Sequence, residues 1–191
     1  MRPVFIVLEG IDGTGKTTAA SAIKEHLESK GHKVVVTAEP TKGMIGKMVA
    51  ETDDLSPETE ALLFTADRAC HTKEISDLIS NGTSVISDRY YVSTLAYQSA
   101  AGMDEAWLRA LNSKIIREPD VTLILDMDPE LSLKRVDSRG EKSRFEKLEY
   151  QRKVRDAYLR IAEEKDYPII DASASKEKVA ASIINEIDRR L

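Results

Sequence analysis

Residues Gly10-Ile11-Asp12-Gly13-Thr14-Gly15-Lys16-Thr17 satisfy the pattern G-x-x-x-x-G-K-[ST] at every required position. Glycines at 10, 13 and 15 let the backbone turn inward and aim several N–H groups at one point, where a phosphate is held. Lys16 sets an ammonium where β- and γ-phosphates would lie, and the Thr17 hydroxyl is placed to hold Mg²⁺. The apolar run Val4-Phe5-Ile6-Val7-Leu8 leads in, and a helix-period stretch from Thr18 through Ile23 to Leu27 leads out. This strand–loop–helix setting adds the positive end of a helix to the same point. The chemistry is capture of a nucleoside triphosphate.

Three further groups carry chemistry. Asp88-Arg89 closes the run Val85-Ile86; the acid sits where a strand-end carboxylate holds Mg²⁺ through water, and the guanidinium suits an acceptor phosphate, which it bonds bidentately. Phe64 and Arg68 are four apart on a helical stretch and share a face, giving a ring to stack a base and a donor for a base oxygen. Helix periodicity alone favours a core phenylalanine and a solvated arginine at these positions. Arg135, Arg139 and Arg144 punctuate a segment at about 135–147 with Gly140 as its hinge, the composition of a lid that closes over a triphosphate.

Strands are expected at Val4–Glu9, Lys33–Thr37, Ser84–Asp88, Val121–Asp126 and Tyr167–Asp171. Their continuous apolar runs suit burial on both faces, and their alternation with helices implies a five-stranded parallel sheet flanked by helices on both faces, an α/β P-loop NTPase fold in one domain spanning 1–191. Ser56-Pro57 starts a long helix that Asn81-Gly82 ends, Gly31 closes the first helix, and Ser175 caps the last. Cys70, spaced helically with Leu62, Leu63 and Ala66, is expected to be buried. The net charge of −5 argues against nucleic-acid or membrane-surface partners. The lone cysteine, the missing export signal and the want of any apolar run near 20 residues lead to an expected cytoplasmic protein.

Taken in order, Phe5-Ile6-Val7-Leu8-Glu9-Gly10, Leu63-Phe64-Thr65-Ala66-Asp67-Arg68, Asp88-Arg89-Tyr90, Ala96-Tyr97-Gln98 and the arginine-rich segment resemble the thymidylate kinases over essentially the whole chain. The resemblance implies transfer of a phosphoryl group from ATP to dTMP, giving ADP and dTDP for dTTP synthesis, with Mg²⁺ and a homodimer. It places Asp12 at the acceptor sugar or metal shell, Phe64 on thymine, Arg68 on its O4, and Arg89 on the dTMP phosphate. Asp88, Glu39 and Pro40 fall near the metal and acceptor, Thr94 and Gln98 at the base edge, and Tyr97 under the deoxyribose. Gly13 stands where some members carry a catalytic arginine, which leaves that role to Arg139 or Arg144 of the lid. Ala38 stands where many members carry arginine before Glu-Pro, so one contact there is missing or comes from elsewhere. A switch GTPase is disfavoured because Asn112-Ser113-Lys114-Ile115 lacks the Asn-Lys-x-Asp element. A kinase for another nucleotide or nucleoside stays open.

Overall fold

The computed structural model describes residues 2–135 and 141–191, with side chains described for all of these but 141–146. The apolar runs form β1 (Phe5–Glu9), β2 (Lys33–Ala38), β3 (Thr83–Asp88), β4 (Val121–Asp126) and β5 (Ile169–Asp171). They join into one all-parallel sheet in the order β2-β3-β1-β4-β5. Eight helices run among the described residues: α1 (Lys16–Ser29), α2 (Met44–Glu51), α3 (Pro57–Ser80), α4 (Tyr91–Ala100), α5 (Glu105–Asn112), α6 (Pro129–Arg135), α7 (Glu141–Lys165) and α8 (Lys176–Arg190).

Side-chain alternation along β1 divides the core. Ile6 and Leu8 pack with Ala20, Ile23 and Leu27 of α1 and Ile183 and Ile187 of α8, on one face of the sheet. Phe5 and Val7 pack on the other with α3, α4, α5 and α7, through residues such as Ile75, Leu95, Leu108 and Ile161. Sequence after β1 moves toward β2 and sequence after β3 crosses to β4, so strand order reverses between β1 and β3. In such sheets the ligand crevice lies outside the carboxyl ends of the strands at that reversal. The register Leu8↔Asp88 brings the β3 acid alongside the entry to the glycine loop.

Helix boundaries follow their local chemistry. The Ser56 hydroxyl accepts from Thr59 N at 3.2 Å with Pro57 in the first turn, and Ser175 accepts from Lys178 N at 3.4 Å. Two expectations are corrected. Cys70 is exposed, as are Leu62 and Ala66. The inner face of α3 carries Ala61, Asp67, Arg68, His71, Ile75 and Ile79 instead. Polar groups occupy the buried stripe, so apolar spacing pointed to the outer one. Burial of β2 on both faces also fails: it is an edge strand with Val35 and Val36 exposed.

Candidate active site

Gly10 leaves β1 with φ 138°, and a Cβ there would stand 2.3 Å from the Leu125 carbonyl oxygen, so only glycine lets the loop pass under β4. The loop then delivers Lys16, buried at the start of α1, where its Nζ donates to the carbonyls of Gly10 at 3.1 Å and Ile11 at 3.0 Å. Thr14 Oγ1 donates to Ile11 O at 2.9 Å and braces the turn. Burial, reinforced by the nearby Arg89 charge, lowers the Lys16 pKa to about 8, against the pull of Asp88, Asp12 and Glu9.

Thr17 Oγ1 donates to Asp88 Oδ2 at 2.8 Å, which joins the first turn of α1 to the end of β3. These are two hard oxygen groups beside a phosphate cradle. Mg²⁺ is commonly bound by one or two protein oxygens plus nucleotide phosphates and water, so the pair fits that ion. Among the described residues no cluster of three or more acidic, histidine or cysteine side chains could hold a metal by itself.

Arg89 follows at φ 74°, a left-handed conformation that a non-glycine residue adopts at a cost of order 1–3 kcal/mol, and which is met at functional sites. Its N–H donates to Leu8 O at 2.8 Å. Its guanidinium donates to Asp12 Oδ1 at 2.5 Å, Tyr97 Oη at 3.1 Å and Ser93 Oγ at 3.0 Å, and stands 5.0 Å from the Tyr97 ring centre. Beneath it lies Glu9, fully buried at the end of β1. Glu9 accepts from Tyr90 N, Ser93 N, Ser93 Oγ and Tyr158 Oη at 2.6–3.2 Å. Burial pushes the Glu9 carboxyl up, opposed by those hydrogen bonds and by the Arg89 charge.

The acceptor-side residues surround a cavity of about 360 Å³. Asp12, Glu39, Pro40 and Arg89 line it near the glycine loop; Phe64, Arg68, Thr94, Tyr97 and Gln98 line the rest. All nine residues assigned to the acceptor from sequence therefore meet around one space. Arg68 is not solvated: it is 1 % exposed. Its Nε donates to Glu39 Oε2 at 2.9 Å, its Nη2 approaches the same oxygen at 2.6 Å, and its Nη1 donates to Asn112 Oδ1 at 2.8 Å. The remaining Nη2 hydrogen reaches Tyr90 O at 3.2 Å, leaving one Nη1 hydrogen of the five without an acceptor among the described residues. Glu39 pairs through its other oxygen with His71 Nδ1 at 2.9 Å, and His71 Nε2 bonds Thr37 Oγ1 at 2.9 Å. Glu39 thus holds Arg68 through one oxygen and His71 through the other.

Sequence reasoning missed Glu9, Glu60, His71, Ser93, Tyr150 and Tyr158. Glu60, Ser93 and Tyr150 line the same cavity. The signal for His71 was its spacing of three from Arg68, on the same helix face. Glu9 and Tyr158 lie 149 residues apart, beyond any local pattern.

On the opposite side of the glycine loop, a cavity of about 340 Å³ is lined by Gly13, Gly15, Thr18, Arg135, Lys176 and Val179, among others. Arg135 Nη1 lies 3.5 Å from Gly13 O and 3.4 Å from Ala172 O. Arg139 falls outside the described residues, and so does the side chain of Arg144. The two cavities flank one loop, the arrangement for a donor nucleotide on one side and an acceptor on the other.

Comparison with known proteins gives the same reading. The family profile described as thymidylate kinase matches residues 8–183. A probable thymidylate kinase of Archaeoglobus fulgidus is 44% identical over 187 residues, covering 97% of this chain and 95% of the relative. Probable thymidylate kinases of Pyrococcus horikoshii and Pyrobaculum aerophilum are 44% and 43% identical, over 100% and 97% of this chain and 98% and 96% of the relatives. The chain belongs to the thymidylate kinase family.

Proposed function

We propose that this chain transfers the γ-phosphoryl group of ATP to dTMP, giving ADP and dTDP, with the glycine loop between the two nucleotides. One observation carries the assignment of sites: the cavity holding Phe64, Arg68, Thr94, Tyr97 and Gln98 opens onto Arg89, within reach of the loop that presents Lys16. ATP lies along Gly10–Thr18, with Lys16 Nζ on the β- and γ-phosphates and its nucleoside beside Arg135 and Lys176. Arg89 takes the acceptor phosphate, Phe64 stacks the base, Arg68 donates to its O4, and Tyr97 fills the space under the sugar. Thr17 and Asp88 would hold Mg²⁺, which supplies charge neutralisation to the phosphates.

No covalent nucleophile is needed, because the attacking atom is an ionised phosphate oxygen of the acceptor. Catalysis rests on alignment and on cations spread around the moving group. The remaining cation is assigned to Arg139 or Arg144, on the ground that Gly13 stands where some members of the family carry a catalytic arginine. A homodimer belongs to the same reading. It is supported by the outward stripe Leu62, Ala66 and Cys70 on α3, beside α2, where Met44 is 82 % exposed.

The test is ADP release from Mg-ATP against dTMP, dUMP, dCMP, AMP, GMP and thymidine. Stimulation is expected to be strongest with dTMP, with thymidine inert. Lys16→Ala is expected to lower turnover by a hundredfold or more, the loss of one transition-state contact of roughly 3 kcal/mol. A preference for another acceptor, or near-normal turnover in Lys16→Ala, defeats the reading.

A further inference from the structure

Gln98 is 3 % exposed, so its carboxamide can adopt only the orientation its neighbours accept. Its Nε2 donates to Glu60 Oε2 at 2.9 Å. A carboxylate only accepts, so the amide nitrogen must face Glu60 and the oxygen must face elsewhere. Oε1 accepts no hydrogen bond among the described residues, while Gln98 and Glu60 both line the acceptor cavity with Phe64 and Arg68. The cavity is thus lined both by Gln98, whose carboxamide oxygen is unpaired, and by Arg68, one of whose Nη1 hydrogens has no acceptor among the described residues.

That order of groups has a chemical complement. A 4-oxo pyrimidine shows a donor at N3 and an acceptor at O4. A 4-amino pyrimidine shows the reverse, an acceptor at N3 and a donor at its amino group. Were the Gln98 amide to turn over, its NH₂ would meet N3 and the pocket would suit the 4-amino base. Glu60 opposes that turn, since it would set two oxygens against each other.

We propose that Glu60 is a positioning residue that determines base specificity: by accepting from Gln98 Nε2 it holds the carboxamide oxygen toward the base, selecting pyrimidines with N3–H and a 4-oxo group. This rests on the placing of dTMP in the Phe64–Arg68 cavity. Glu60 also lies in the first turn of α3, where an acid favours the helix end. A purely helical role would affect every acceptor alike.

The experiment measures kcat/KM for dTMP, dUMP and dCMP in the wild type, Glu60→Gln and Glu60→Ala. Glutamine at 60 both donates and accepts, so it leaves the Gln98 amide free to turn. The dTMP-to-dCMP ratio is expected to fall about tenfold or more in both variants, through a raised KM for dTMP and a lowered one for dCMP. The dTMP-to-dUMP ratio is expected to stay within about twofold, since both bases carry N3–H and O4, and the KM for ATP is expected to hold. Equal losses for dTMP and dCMP, or an unmoved ratio, overturn the role of Glu60 while leaving the pocket assignment standing. A wild type that does not prefer dTMP to dCMP overturns the pocket assignment, and this role with it.

Discussion

Lys16 sits where burial and the Arg89 charge favour its neutral form, and an arriving triphosphate reverses that balance. Between pH about 8 and the ordinary lysine value of 10.5, the folded, nucleotide-free chain holds Lys16 neutral while the unfolded chain keeps it charged. The unfolded state binds more protons there, so this group makes stability rise with pH across that window. On the proposed placing, the ATP phosphates meet the Lys16 ammonium. ATP affinity is expected to fall above pH 8, toward tenfold per pH unit, with a proton taken up on binding. Calorimetric titration at pH 9 in buffers of different ionisation enthalpy measures that uptake, and affinity that stays level from pH 7 to 9.5 contradicts it. Arg68 gives a second case. Because it is buried against Glu39, Arg68→Ala is expected to cost about 3–5 kcal/mol in urea unfolding, by stranding that carboxylate. Where the variant stays folded it is expected to weaken dTMP binding and spare ATP; equal loss for both nucleotides refutes the placing of the base.

The elements position these residues through backbone constraints as much as through packing. Gly10→Ala would force a Cβ to within 2.3 Å of the Leu125 carbonyl at a φ that alanine resists. It is expected to cost about 2–5 kcal/mol, seen as a lower urea midpoint with an unchanged slope. An unmoved midpoint would mean that β4 yields easily. The β-branched runs, the glycine loop and the caps at Ser56 and Ser175 were legible because each is local chemistry. The helices α2, α4 and α5 were not. α4 buries Tyr91, Val92, Thr94, Leu95, Ala96 and Gln98, so burial nearly all round erased its period. On α3 the buried stripe holds an ion network, and apolar spacing therefore misplaced Cys70. Within the site, the glycine loop and the strand-end pair Asp88-Arg89 were readable from type and spacing, whereas Thr94, Tyr97 and Gln98 came only from the family resemblance. The residues that hold the site in place, such as Glu9 and His71, act across the sheet and between helices, where no local pattern reports.

At the scale of the molecule, the outward Leu62–Ala66–Cys70 stripe of α3 supports association of two copies, and Leu62→Glu is expected to shift a dimer to monomer in sedimentation velocity. A wild type that sediments as a monomer removes that reading. No described helix is long and apolar enough to cross a membrane. The Asp12–Arg89 ion pair has a consequence for the whole cycle. With no acceptor present, the arginine that would greet a phosphate is already neutralised by a side chain of the donor loop itself. An incoming monophosphate would compete with Asp12 for Arg89, whereas a water molecule or an unphosphorylated nucleoside has no charge with which to do so. On the proposed placing, the acceptor's arrival would be an exchange of charge partners at Arg89, which ties the donor loop's position to the occupancy of the acceptor cavity.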